Sequence, residues 1–94
     1  MNRNAIIEND LCEISSLLLN LDSKEDVLSF LNEVLTVSEL NALSKRWQIL
    51  KMLKYGHTQR DISKELNVSL CKVTRGSRVL KDETAVVTRY LADK

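Results

Sequence analysis

The residues able to do chemistry in this 94-residue chain are cations, amides and hydroxyls, and they gather between Thr58 and Lys81. No paired carboxylates, no Cys/His arrangement and no glycine-rich phosphate loop is present, and the single histidine, His57, has no partner that the sequence supplies, so an enzyme is not expected. The chemistry that remains is recognition of anions and of flat rings. Residues 36–81 carry ten basic side chains against Glu39, Asp61 and Glu65, whereas residues 1–35 carry two basic and seven acidic ones. A net charge of +1 therefore averages over a basic segment joined to an acidic one, the asymmetry of a chain that meets a polyanion with one part.

The segment that holds these groups reads as two short helices joined by a tight turn. Thr58 can cap the first, with Asp61 three residues on, and Ile62 and Leu66 give it an apolar stripe at i, i+4. Asn67 stands where the chain must reverse, and asparagine tolerates the left-handed conformation. Val68 returns to the core and Ser69 can cap a second helix that starts at Leu70. This is a helix-turn-helix pattern, with the second helix in the reading position. Within it Gly76 and Ser77 stand where a large aliphatic residue is expected. Glycine inside a helix costs about 1 kcal/mol relative to alanine. Gly76 marks either a helix end or close helix contact, or a gap that something else fills.

The elements that position this segment are helical throughout. Proline is absent and glycine occurs twice, at Gly56 and Gly76, which points to an all-α fold of about six helices. A first helix runs from about Ile6 to Asn20. A second opens at Ser23, with Asp26 as its cap partner, and carries Val27, Leu28, Phe30, Leu31 and Val34. Thr36-Val-Ser-Glu39 is a capping box that opens the longest helix, to about Tyr55. That helix has one stripe of Leu40, Leu43, Trp47 and Leu50 and another of Ala42, Ile49 and Leu53; Trp47 is expected in the core. Gly56 ends it as a left-handed cap. Asp82-Glu-Thr is expected to start a last helix with Val86, Val87, Tyr90 and Leu91.

One domain over 1–94 is expected, divided into dimerisation helices (1–57), the helix-turn-helix (58–81) and a C-terminal helix (82–94). So small a core cannot cover two apolar stripes on one helix, which calls for a symmetric homodimer, obligate or nearly so. A two-fold would also place two reading helices in successive major grooves about 34 Å apart. Cys12 and Cys71 are too few and too far apart for a metal site or disulfide framework. No leader and no bilayer-spanning run is seen, so a soluble, cytoplasmic protein without a membrane partner is expected.

Leu35-Thr36, Glu39, Ala42-Leu43, Arg46 and Gly56, followed by Thr58-Gln59-Arg60, Glu65-Leu66, Val73-Thr74-Arg75-Gly76-Ser77 and Leu80-Lys81, resemble the bacterial Trp repressor family over roughly residues 27–81. The resemblance implies an intertwined all-helical homodimer that binds operator DNA when L-tryptophan, a corepressor rather than a catalytic cofactor, is bound. It implies that Arg46 and Arg75 sandwich the indole, that Thr36 helps hold the carboxylate, and that main-chain carbonyls near Glu33 and Leu35 contribute. Gly76 would lie against the ring. Val79 stands where the family has a serine that assists the amino group, which points to altered amino-group selectivity. The link Gly56-His57-Thr58 is one residue shorter than in the family.

For DNA, the resemblance implies that Arg60 reaches a guanine edge. Gln59, Lys64 and Lys81 read as phosphate contacts, and Leu70, Cys71, Lys72 and Thr74 as facing the groove. Ser69 serves as a cap or as a phosphate contact. The reading helix carries Leu70-Cys71-Lys72 where the family often has smaller residues, so a different operator sequence is expected.

Overall fold

Each helix begins and ends where the local chemistry requires. The computed structural model describes residues 3–93, and among them six helices and no strand are found: α1 (Arg3–Leu19), α2 (Lys24–Val34), α3 (Val37–Lys54), α4 (Gln59–Leu66), α5 (Leu70–Lys81) and α6 (Val86–Ala92). The all-helical expectation is met. The Ser23, Thr58 and Ser69 hydroxyls accept from the amides of Asp26 (3.1 Å), Asp61 (3.1 Å) and Lys72 (3.4 Å), capping α2, α4 and α5. By contact the chain divides into two compact units, Met1–Thr36 and Val37–Lys94.

In the N-terminal unit α1 starts three residues earlier than its apolar pattern, and Ile6, Ile7, Leu11, Ile14 and Leu17 are exposed along it. α2 ends at Val34, where the Leu35 amide still donates to the Leu31 carbonyl at 3.0 Å.

In the C-terminal unit α3, α4 and α5 pack around Ile49, Ile62 and Val73, all buried, with Met52, Leu53, Leu66 and Val68 against them. Two caps of the same design set the angles between these helices. Gly56, at φ +92°, ends α3 as its amide donates to the Leu53 carbonyl at 3.1 Å and that of His57 to the Met52 carbonyl at 3.0 Å. The His57 Nδ1 lies 3.1 Å from the same Met52 oxygen, and since a carbonyl only accepts, that nitrogen carries the proton. Asn67, at φ 54° and ψ 51°, ends α4 in the same way, with the Val68 amide donating to the Ser63 carbonyl at 3.1 Å. The Ser63 hydroxyl donates back to the Val68 carbonyl at 2.6 Å, so one serine clamps both backbone groups of Val68, the residue that follows the turn.

An Asn67→Ala variant is expected to lose about 1 kcal/mol, because alanine meets the full left-handed penalty that asparagine tolerates better. Asn67→Gly should lie within a few tenths of a kcal/mol of wild type, or above it, since glycine adopts positive φ freely. Urea unfolding checks both; an unchanged midpoint for the alanine variant would dismiss the backbone argument.

Two expectations need correction. Trp47 is not core: it is 37% exposed and packs beside Tyr90, with ring centroids 6.0 Å apart and planes tilted by 54°. Of the two stripes on α3, the one with Ile49 and Leu53 faces α4 and α5, and Leu43 stays exposed with Trp47. The last helix starts at Val86, not at Asp82. The Asp82 carboxylate turns back to accept from the Thr84 hydroxyl (2.7 Å) and amide (2.9 Å), so it closes a turn instead of capping α6. Those two bonds hold the carboxyl below the usual aspartate range, the hydroxyl bond contributing most. α6 is fastened to α5 by the Thr88 hydroxyl, which donates to the Val79 carbonyl at 3.0 Å, and by burial of Leu91.

Candidate ligand cleft and nucleic-acid face

Gly76 lies in the middle of α5 and is buried, which rules out the helix-end reading. A Cβ placed on it would stand 3.0 Å from the Ile49 Cγ2, 3.4 Å from the Leu53 Cδ1 and 3.6 Å from the Leu50 Cδ2. The glycine therefore lets α5 approach α3 to a distance at which even a methyl group would crowd Ile49. Beside this contact a half-open cleft of about 150 Å³ lies between the two helices, lined by Arg46, Ile49 and Leu50 of α3 and by Lys72, Arg75, Gly76 and Val79 of α5. A void of roughly this volume with apolar walls accepts a single aromatic ring. The close packing and the adjacent gap coexist at one residue.

The lining follows helical spacing on both sides. Residues 46, 49 and 50 are i, i+3, i+4 on α3, and residues 72, 75, 76 and 79 are i, i+3, i+4, i+7 on α5. Four residues that the resemblance assigns to a ligand, Arg46, Arg75, Gly76 and Val79, thus share one cleft. Glu33, Leu35 and Thr36 belong to the N-terminal unit, at the end of α2 and in the link that follows. Ile49, Leu50 and Lys72 were missed as lining residues, although the spacing alone carries them. Lys72, expected to face the groove, is exposed and brings a third cation to the cleft. Walls of Ile49, Leu50 and Val79 with cations at the edges suit a flat apolar body bearing a negative charge: guanidinium planes stack on rings and pair with carboxylates.

The second candidate surface is the helix-turn-helix. Arg60, Lys64, Ser69, Leu70, Cys71, Lys72 and Lys81 are exposed; Gln59 and Thr74 are half-buried. Gln59 has work inside the fold, because the Thr74 hydroxyl lies 2.9 Å from its Oε1 and 3.0 Å from the Leu70 carbonyl. This bond ties the first turn of α4 to α5 and sets the spacing of the two helices. The capping Ser69 hydroxyl accepts from Lys72 through a lone pair and retains its proton for donation, so the cap does not preclude an anion contact. On the outer face of α5, Cys71, Thr74, Arg75 and Arg78 line a shallow concavity. Arg78 was not singled out from the sequence, although it follows Thr74 by four residues and Cys71 by seven.

Among the described residues no group of three or more His, Cys, Asp or Glu side chains could hold a metal, and no helix is long and apolar enough to cross a membrane. Cys12 and Cys71 are exposed free thiols.

Two helices joined by a capped turn, packed through Ile62 and Val73 on a long helix, define a helix-turn-helix module. Residues 9–93 match the family described as Trp repressor protein, and the chain belongs to that family. A Trp operon repressor homolog of Xylella fastidiosa is 36% identical over 67 residues, covering 70% of this chain and 73% of that protein. YerC of Bacillus subtilis, described as an uncharacterized protein, is 27% identical over 71 residues, covering 76% of this chain and 68% of its own. A Staphylococcus aureus crystal structure, of a protein described as a candidate Trp repressor, superposes with a TM-score of 0.75 at 29% identity, covering 99% of this chain and 93% of the other. The resemblance read from Thr74-Arg75-Gly76-Ser77 and Leu80-Lys81 is borne out at the level of family. Membership points to a DNA-binding regulator in a non-enzymatic family.

Proposed function

We propose that this chain is a sequence-specific transcriptional repressor that acts as an intertwined homodimer in the cytoplasm and takes L-tryptophan as its corepressor, to control genes of tryptophan biosynthesis or uptake. The observation that carries the reading is the cleft beside Gly76, with Arg46 on one helix and Arg75 on the other. In this reading the indole lies between the two guanidinium groups with Gly76 as its floor. One of the two guanidinium groups can also pair with the carboxylate, and the family resemblance adds Thr36 and main-chain carbonyls near Glu33 and Leu35 as ligand contacts.

Because α5 supplies both a cleft wall and the reading surface, a ligand that binds one orientation of α4 and α5 more tightly shifts the population toward it. The dimer is supported by apolar side chains that a single chain leaves exposed: the stripe on α1, with Leu43 and Trp47 on α3 and Val86 and Tyr90 on α6. On DNA, Arg60 pairs with a guanine edge, Gln59, Lys64, Ser69 and Lys81 position the chain on phosphates, and Leu70, Cys71, Lys72 and Thr74 face the groove.

A second reading has its own support. The contact between Gly76 and Ile49 gives the glycine a purely structural reason, which fits a relative that binds DNA without a ligand. Operator affinity measured with and without L-tryptophan, together with calorimetry, separates the two. The corepressor reading expects operator binding to tighten by roughly 5- to 150-fold, the usual range of coupling between two sites. With Val79 offering the ligand's ammonium group no side-chain partner, indole-3-propionate should bind at least as well as L-tryptophan. No heat with either compound, and an operator affinity unmoved by both, would leave the ligand-independent reading.

A further inference from the structure

We infer that Arg78 is a DNA-backbone contact, the residue with which α5 grips a phosphate at the flank of the groove; the inference rests on the DNA-binding reading above. Val73 and Gly76 are the buried positions of α5 and fix the side that faces the core. At 3.6 residues per turn, position 78 falls within about 20° of position 71 on the opposite side of the helix, two turns and about 10.5 Å further along. Cys71 and Arg78 thus form the outer ridge of α5, both exposed, with Thr74 and Arg75 between them.

The four residues line a shallow concavity that two of them, Arg75 and Arg78, make cationic. No acidic side chain lines it, so its field is that of an anion receptor. A reading helix meets base edges with its N-terminal turns, here Leu70 to Thr74. A cation two turns further along the same ridge has passed the base edges and comes level with the sugar-phosphate strand. Arginine suits that position, because its planar fork takes two phosphate oxygens. Arg75 also borders the ligand cleft, and Arg78 does not, which separates their duties.

The test measures fluorescence anisotropy with a duplex that the full-length protein has selected from a random pool and with a scrambled duplex, across a salt series, with L-tryptophan present. Arg78→Ala should weaken binding to both duplexes by a similar factor, about tenfold for each reading helix, the worth of one charge-assisted hydrogen bond. It should also reduce the slope of log affinity against log salt by about one per reading helix. Arg78→Lys keeps the charge and should restore most of the slope. Calorimetric heat with L-tryptophan and the thermal midpoint should match wild type in both variants, since the side chain is exposed and outside the cleft.

An unchanged affinity and slope in Arg78→Ala would overturn the assignment. So would a loss confined to the selected duplex that lysine does not rescue, for that marks a base contact. Wild-type protein that binds neither duplex at low salt would overturn the DNA-binding reading itself, and this assignment with it.

Discussion

A Gly76→Val variant is expected to lose its response to L-tryptophan altogether and to melt on the order of 10 °C below wild type, since overpacking of this kind costs about 1–3 kcal/mol and each kcal/mol moves the midpoint of so small a domain by several degrees. The cause is local. The first added carbon would already stand 3.0 Å from the Ile49 Cγ2, and Ile49 is only 2% exposed. That methyl is attached directly to a branched Cβ whose χ1 has one favoured setting in a helix, so it cannot swing aside. Relief must come from separating α5 from α3, which disturbs the contact beneath Val73. The two further methyls of valine would intrude on the floor of the cleft.

Gly76→Ala provides the finer comparison. Alanine gains about 1 kcal/mol of helix propensity, and its single methyl meets the same Ile49 contact, so the two effects nearly cancel in stability. Calorimetry on Gly76→Ala then reports the cleft with the fold almost constant. A valine variant with wild-type melting and a wild-type heat of binding would show that neither the helix contact nor the cleft depends on the missing side chain.

The features legible in the sequence were those written within a few residues. The Thr58 and Ser69 caps, the left-handed Asn67 and Gly56, and the Ile62–Leu66 stripe each depend on neighbours no more than five positions away, and the structure has each in place. What failed was the choice between two local solutions. Asp82 and Thr84 resemble a cap, and they do bond to each other, but in a turn that ends before α6 begins. α3 carries two apolar stripes, and periodicity cannot say which one meets α4 and α5. Trp47 lies on one stripe and was expected in the core, yet it is the other stripe, through Ile49 and Leu53, that packs against Gly76.

The site shows the same division. Arg46, Arg75, Gly76 and Val79 came from a motif, whereas Ile49, Leu50 and Lys72 join them through helical spacing. Lys72 was assigned to the groove because it follows the start of the reading helix. α5 has cations over about half of its circumference, so chain position alone does not sort them. Arg78 was passed over for the same reason.

Arg60→Ala is expected to reduce operator affinity by about 1–3 kcal/mol for each reading head, the worth of a bidentate arginine–guanine pair, and by about twice that in a symmetric dimer. The fold should not suffer, and this makes the variant informative. Arg60 is exposed and is the second residue of α4, where the helix presents unsatisfied amides and the positive end of its dipole. A cation there is slightly unfavourable, by a few tenths of a kcal/mol, and the acidic Asp61 beside it is the residue the helix itself prefers. Removing the charge should leave the melting point unchanged or raise it a little while DNA binding falls. Stability and binding that move in opposite directions separate a residue kept for recognition from one kept for structure. If affinity falls equally for a scrambled duplex, Arg60 holds a phosphate and not a base. If it does not fall for any duplex, the helix-turn-helix serves as a protein-docking module, and the positive charge of residues 36–81 must be explained by an acidic protein partner.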